Sequence, residues 1–272
     1  MVVLESAVAR IVALLTDFGT SDPYLGAMKG AVLAACPEAT LVDLVHEVPP
    51  HDVLAGALAL DAAWPPFPPG SVFLGVVDPG VGSPRRGLAL AAAGHLFVGP
   101  DNGLFTLVLR GATAARVHAV ENERLFRRPV SPVFHGRDVF GPVAGRLAAG
   151  LPLEEVGPPV GDPVRLELPE PRLLGDDGWE AAVLRVDRFG NLTTCLPAAV
   201  LGEAADRPGG LRVLVGDAAA PFVRTYADVP AGGLCSLVGS SGYLEVAVRE
   251  GSAADRLGAV AGTAVRVFLG KD

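Results

Sequence analysis

Along the first 150 residues, short apolar runs alternate with stretches of helical spacing. Arg10 to Thr16 is an apolar run that ends in Asp17-Phe18-Gly19-Thr20. Asp22 then reads as an N-cap with Pro23 at the first helical position, opening a helix that stops at Pro37. Thr40 to Val45 reads as a second strand. Asp52 starts an Ala/Leu helix ending at Trp64, before Pro65-Pro66. Ser71 to Val77 and Gly87 to Ala92 read as third and fourth strands, and Val139 to Ala149 as a closing helix. Apolar strands separated by helices predict an α/β part with a parallel or mixed sheet covered on both faces.

From Gly150 to Gly178 the pattern changes: prolines fall at 152, 158, 159, 163, 169 and 171 among acidic residues, as in a linker or extended crossover. Beyond it the helical period disappears. Glu180 to Val186, Leu192 to Leu196, Leu211 to Val215, Pro221 to Arg224, Tyr243 to Val248 and Thr263 to Phe268 read as short strands with Gly, Asp and Pro between them. They predict a small antiparallel β domain, sandwich or barrel. The expected organisation is an α/β domain over 1–160, a Pro-rich linker over 161–172 and a β domain over 173–272.

Composition narrows the function classes. Half of the 272 residues are hydrophobic and 19% are charged, enough for a substantial core. A net charge of −8 argues against nucleic acid, which needs a basic patch, and against an anionic membrane surface. No apolar run reaches the ~18 residues of a membrane-spanning helix, and Met1 to Arg10 lacks the basic start of a secretory signal. Cys36, Cys195 and Cys235 show neither metal spacing nor a disulfide framework, which fits a reduced, cytoplasmic protein. Absent Gln and scarce Asn fit heat adaptation, although a GC-rich genome gives much the same bias.

The candidate chemistry lies in two Gly-rich loops. Asp78-Pro79-Gly80-Val81-Gly82-Ser83-Pro84-Arg85-Arg86 follows an apolar strand and places a carboxylate and a guanidinium at a strand's carboxyl end, where open α/β sheets bind ligands. Phe134-His135-Gly136-Arg137-Asp138 offers an imidazole just before a helix. Asp78, Arg85 and His135 together can hold and polarise a water, with His135 as the switchable base; taken singly they read as a loop cap, a surface charge and a structural histidine. Asp17, at the end of the first strand, suits a ribose diol or a plain turn. Asp187-Arg188-Phe189-Gly190-Asn191 and Gly239-Ser240-Ser241-Gly242-Tyr243 read as turns that can also offer polar groups. Asp101-Asn102-Gly103 reads as a turn, and His46, His51, His95 and His118 as structural or surface residues. Asp17-Phe18-Gly19 is not a kinase signature, since no Gly-rich phosphate loop precedes it.

Taken in order, Leu15-Thr16-Asp17-Phe18-Gly19, Val77-Asp78-Pro79-Gly80-Val81-Gly82, Pro100-Asp101-Asn102-Gly103, Phe134-His135-Gly136-Arg137-Asp138, Asp187-Arg188-Phe189-Gly190-Asn191 and Ser240-Ser241-Gly242-Tyr243-Leu244-Glu245 resemble the S-adenosyl-L-methionine (SAM) hydroxide adenosyltransferases, relatives of the SAM-dependent fluorinase and chlorinase. The resemblance implies an N-terminal α/β domain with a mostly parallel sheet, a C-terminal β-barrel, and a homotrimer with SAM held between subunits. It implies hydrolysis of SAM to adenosine and L-methionine, with Asp78, Arg85 and His135 catalytic and no cofactor or metal. It places the ribose on Asp17, the methionine ammonium on Asp22 and Asp187, and the methionine carboxylate on Ser240 and Ser241. Phe189, Asn191 and Tyr226 fall on the adenosine side, and the backbone of Ala253 and Ala254 at the adenine edge. Gly239 stands where the family pattern has Asn, and His51 where the halogenases have Trp. The alternatives are a SAM-dependent halogenase and a SAM- or adenosine-binding protein without turnover.

Overall fold

The computed structural model describes residues 10–175 and 178–270. The reading of residues 1–9 as no secretory signal falls outside the described residues. The chain divides between Leu166 and Glu167 into two compact units. Among the described residues no helix is long and apolar enough to cross a membrane.

The first unit is built on β1 (Ile11–Thr16), α1 (Tyr24–Ala35), β2 (Thr40–Val45), α2 (Val53–Ala63), β3 (Val72–Val76), β4 (Gly87–Ala92), β5 (His95–Pro100), α3 (Thr106–Gly111), β6 (Ala115–Ala119) and α4 (Gly141–Ala148). The strands form one sheet in the order β2-β1-β3-β5-β4-β6. The β2-β1-β3-β5 pairings are parallel, while β4 runs antiparallel to both β5 and β6. Strand alternation splits the core in two. Val12 and Leu14 of β1 join Leu74, Met28, Phe140 and Val143 on the α1/α4 face. Ala13 and Leu15 join Phe73, Phe97, Leu60 and Val108 on the α2/α3 face. Burying each Leu, Val or Phe contributes about 1.5–3 kcal/mol, so the sheet is a rigid base for the loops at its edge.

The Asp52 reading holds: its side chain accepts from Ala55 N–H at 2.8 Å and caps α2. The Asp22 reading does not. Pro23 takes the N-cap place with right-handed helical angles, and its own carbonyl accepts from Ala27 N–H at 2.9 Å. Asp22 is thereby pushed outside the helix, exposed, with no capping bond.

The Asp101-Asn102-Gly103 turn ties the first unit to its extended tail. Asp101 accepts from Arg86 Nε at 2.8 Å and from Val164 N–H at 2.7 Å, and Asn102 donates to Val77 O at 2.8 Å. These motif residues therefore have a structural use.

The second unit comprises β7 (Arg172–Leu173), β8 (Gly178–Val186), β9 (Leu192–Pro197), β10 (Leu211–Val215), β11 (Ala218–Pro221), β12 (Leu234–Val238), β13 (Tyr243–Val248) and β14 (Ala264–Leu269). Its antiparallel order is β11-β10-β14-β8-β9-β13-β12, with β7 beside β8. The two ends meet: Phe222 bridges Ser236 of β12, Val223 N–H donates to Ser236 O, and Ser236 Oγ donates to Ala220 O, both at 2.9 Å. The sheet is thus nearly closed into a barrel, its two end strands joined by this single bridge. The strand expected at Pro221–Arg224 lies earlier, at Ala218–Pro221, because Phe222 and Val223 turn aside to make that closure. Both expected architectures, the mostly parallel α/β sheet and the antiparallel barrel, are present.

Candidate active site

Because β1 and β3 are parallel neighbours, their carboxyl ends lie side by side and bring Asp17 and Asp78 to one edge of the sheet. There they line a cavity of about 280 Å³ with Phe18, Tyr24, His51, Phe134 and His135. Phe18, Tyr24 and Phe134 pack edge to face, with centroids 5.5–6.3 Å apart, and form its apolar wall. His135 sits at the mouth of a single π-helical turn, Gly136–Phe140, that leads into α4. Such turns are frequent at functional sites.

The loops bearing Asp78 and His135 are locked together. Gly82, at φ +80°, comes so close to the second loop that an added Cβ would stand 2.8 Å from Pro132 O. Only glycine meets both demands. Asp138, fully buried, anchors the His135 loop by accepting from Arg127, from both Nε and Nη2 of Arg137, and from Ser131 N–H. Burial alone would raise the Asp138 carboxyl, but the bonds from Arg137, Ser131 and Arg127 hold it below the usual range.

Asp78, Arg85 and His135 are in contact. Arg85 grips Asp78 through two bonds, Nε to Oδ1 at 2.8 Å and Nη2 to Oδ2. The two side chains are only 10% and 6% exposed, so the pair is largely desolvated. Arg85 Nη2 also lies 2.9 Å from His135 Nδ1, and its guanidinium sits over the Phe140 ring at 5.2 Å. A guanidinium can only donate. His135 Nδ1 is therefore an acceptor and the neutral ring carries its hydrogen on Nε2. The His135 value is lowered, first by burial and then by Arg85, against a smaller opposing pull from Asp78 and Asp138. A neutral His135 beside an ionised Asp78–Arg85 pair is the resting arrangement.

Asp17 Oδ2 accepts from His51 N–H at 2.9 Å, and His51 holds a left-handed φ of 68° to deliver it. Asp22 is not among the residues lining the cavity.

In the second unit, Asp187 closes its own turn. Its Oδ1 accepts from Phe189 N–H at 2.8 Å and Asn191 N–H at 2.9 Å, and its Oδ2 from the Asn191 amide at 3.1 Å. Gly190 packs so tightly on Ser252 that a Cβ would stand 2.1 Å from its Oγ. Ala254 N–H donates to Gly190 O at 2.9 Å, which occupies the Ala254 donor that an adenine edge would use. Tyr226 donates to Glu245 Oε1 at 2.6 Å. Burial, then Glu245, raises the Tyr226 hydroxyl, and burial also raises Glu245. A Cβ on Gly239 would stand 3.0 Å from Glu245 Oε2, so Glu245 fills space beside the position where Asn was expected. Ser240, Ser241 and Phe189 are exposed, whereas Asn191 and Ala253 are buried.

The residue readings did not single out the aromatic wall, Glu245, or the His51 backbone contact. Glu245 carried a signal, a lone carboxylate at a buried strand position of a quoted motif; the other two depend on the folded loops.

Comparison with known proteins agrees with this architecture. The SAM hydroxide adenosyltransferase N-terminal domain matches residues 12–157 and the C-terminal domain of the same family residues 181–266. An (R)-S-adenosyl-L-methionine hydrolase of Thermus thermophilus is 43% identical, covering 95% of this chain and 100% of the relative. One from Salinispora arenicola is 42% identical over 95% and 98%. A fluorinase of Nocardia brasiliensis is more distant, at 28%. The crystal structure of an uncharacterized conserved protein from Thermotoga maritima superposes with a TM-score of 0.88 at 35% identity, covering 94% of this chain and 99% of that one. The chain belongs to the SAM hydroxide adenosyltransferase family.

Proposed function

We propose that this protein hydrolyses SAM to adenosine and L-methionine by attack of water at ribose C5′. The observation that carries the reading is the Asp78–Arg85–His135 contact set, lining or bordering a cavity that also holds Asp17. Relatives named SAM hydrolases at 41–43% identity support it. The water oxygen forms the new bond to C5′ as the C5′–S bond breaks. Sulfur keeps the electron pair and leaves as the neutral thioether of methionine. The water proton passes to Asp78. By residue type His135 is the obvious base, but its Nδ1 lone pair is engaged by Arg85 and its Nε2 is a donor. Asp78 is the acceptor that remains, and His135 orients the water. General-base assistance of this kind contributes about 10²–10⁴-fold.

In the same reading Asp17 holds the ribose diol and Asp22 and Asp187 the methionine ammonium. Ser240 and Ser241 hold the methionine carboxylate. Phe189, Asn191 and Tyr226 hold the adenosine, with the Ala253 backbone at the adenine edge. The reading carries with it a cytoplasmic homotrimer whose subunits share each substrate molecule, and needs no cofactor.

Incubation with SAM in isotopically labelled water tests it. The expected result is adenosine and methionine in equal amounts, with the label on the adenosine 5′ oxygen. Unlabelled adenosine or no turnover overturns the reading, and a 5′-halogenated nucleoside in chloride or fluoride buffer replaces it with halogenation.

A further inference from the structure

A second chain of hydrogen bonds runs behind the cavity, away from the triad. Phe18 N–H donates to Thr16 Oγ1 at 3.3 Å, and Thr16 Oγ1 lies 2.9 Å from His46 Nδ1. His46 Nε2 lies 3.0 Å from Asp43 Oδ1, and Lys29 Nζ donates to Asp43 Oδ2 at 2.7 Å. Thr16 is fully buried and His46 nearly so, while the Asp43 side chain is 47% exposed. The chain therefore leads from the cavity loop through the core to the surface.

Donor and acceptor roles run in one direction. An ionised carboxylate only accepts, so His46 Nε2 donates to Asp43; in the tautomer with its one hydrogen there, Nδ1 is an acceptor. The Thr16 hydroxyl then donates to Nδ1, and its lone pairs accept Phe18 N–H. Burial alone would raise the Asp43 carboxyl, but the bonds from Lys29 and His46 hold it below the usual range.

A hydroxyl, an imidazole and a carboxylate in series have the connectivity of an activated nucleophile. Thr16 cannot be one here: its side chain has no exposure, does not line the cavity, and already serves Phe18. What the chain does hold is the loop around Asp17. Thr16 precedes Asp17, Phe18 follows it and is tied through Thr16, and Gly19 N–H donates to His46 O at 2.8 Å. Residues on both sides of Asp17 are thus fastened to one histidine at the end of β2.

We propose that Asp43, His46 and Thr16 form a positioning relay that sets the Asp17 carboxylate for the nucleoside's ribose, so that substrate affinity depends on His46 although it touches no substrate. The proposal rests on the reading of Asp17 as the ribose contact. A ribose bond made equally in the ground state and the transition state affects KM rather than kcat. The triad has its own anchors in Asp138 and Gly82 and meets the Asp17 loop through the Phe18–Phe134 ring contact, so the larger effect is expected on KM.

The experiment is SAM kinetics on the full chain with Thr16→Val, Thr16→Ser, His46→Phe and Asp43→Asn, each checked for folding by its thermal transition. Thr16→Val, which loses only the hydroxyl, and His46→Phe should raise KM about tenfold with kcat within about twofold. Thr16→Ser, which keeps the hydroxyl, should restore KM. The Thr16→Val/His46→Phe double variant should be no worse than either single one, because both break one chain. Asp43→Asn, at a half-exposed position, should raise KM about threefold and keeps the test decisive if His46→Phe fails to fold. Unchanged KM in folded Thr16→Val and Asp43→Asn overturns the relay, as does a fall in kcat at constant KM. Asp17→Ala in the same assay separates the two ideas: if it raises KM while Thr16→Val does not, only the relay falls. If Asp17→Ala leaves KM unchanged, the ribose reading falls and takes the relay's role with it.

Discussion

Asp78 in the first unit is gripped by a guanidinium seven residues away, which in turn holds an imidazole fifty residues further on. Asp187 in the second unit is gripped by N–H groups and an amide within four residues of itself. Both are aspartates in short Gly-containing loops, yet their surroundings do different things. The guanidinium fixes a charge, a tautomer and a direction for chemistry. The turn fixes only the shape of a loop. On the proposed reading, the long-range contacts of Asp78 serve the bond-making step, while the self-closed turn of Asp187 serves only to hold the substrate.

The largest expected effects fall on the long-range network. Asp78→Asn removes the only acceptor of the triad that can take the water proton, and turnover should fall about 10²–10⁴-fold with KM for SAM little changed. Arg85→Lys should approach the same loss, because an ammonium cannot grip Asp78 through two bonds while also meeting His135 Nδ1. Single-turnover kinetics beside equilibrium SAM binding checks both. Equal losses in binding and turnover would erase the contrast with Asp187.

The pH dependence should come in part from His135, beside the buried His95, which is lowered in the same direction by burial. The lowered His135 value means the native state binds fewer protons than the unfolded chain, so stability rises with pH from the native value up to about 6.5, the unfolded value. Stability is lost as pH falls through about 6.5. Turnover should fall on the same acid side, since a proton on Nδ1 would face the Arg85 guanidinium. Denaturation midpoints between about pH 5 and 8 should show this slope in the wild type and a weaker one in His135→Asn.

How much of this was legible in the sequence follows from the range of the interactions. Strand β3, a continuous apolar run, and Asp52 as a cap are local, and both stand as expected. Strands β5, β6, β7 and β12 were not foreseen. In β5, His95, Gly99 and Pro100 dilute the apolar signal; β12 is buried on both faces and shows no alternation. Asp22 failed as a cap because a Ser-Asp-Pro start can shift by one residue without changing its letters. The members of the triad were visible as motifs, but not the tautomer of His135, which exists only once Arg85 reaches it. His46 looked unremarkable for the same reason: its partner Thr16 is thirty residues away.

A middling effect is expected in the self-closed turn. Asp187→Ala frees the N–H groups of Phe189 and Asn191 and should raise KM for SAM about tenfold, with kcat changed less than about threefold. Asp187→Asn keeps an acceptor oxygen for the turn and should recover part of that loss. If Asp187→Ala instead damages kcat as strongly as Asp78→Asn, the second unit takes part in the chemistry and the comparison fails.

The smallest effect on turnover should come from the residue next to the triad's arginine. Arg86 points away from the site, bonding Asp101 at 2.8 Å and both the side chain and the carbonyl of Asp162 at 2.9 Å. Its value is raised by those bonds, from Asp162 first and then Asp101. It thus fastens the extended tail of the first unit to the end of β5. Arg86→Ala leaves Asp101, whose side chain is 2% exposed, without its cation, so the thermal midpoint should drop. Turnover per folded molecule should stay within about twofold of wild type. The pair Arg85→Ala and Arg86→Ala, one residue apart, then divides function from stability: the first loses turnover far beyond any change in its midpoint, the second loses midpoint with turnover kept. A matching loss of turnover in Arg86→Ala at temperatures well below its transition would mean that the tail, and not the triad alone, sets the position of Asp78.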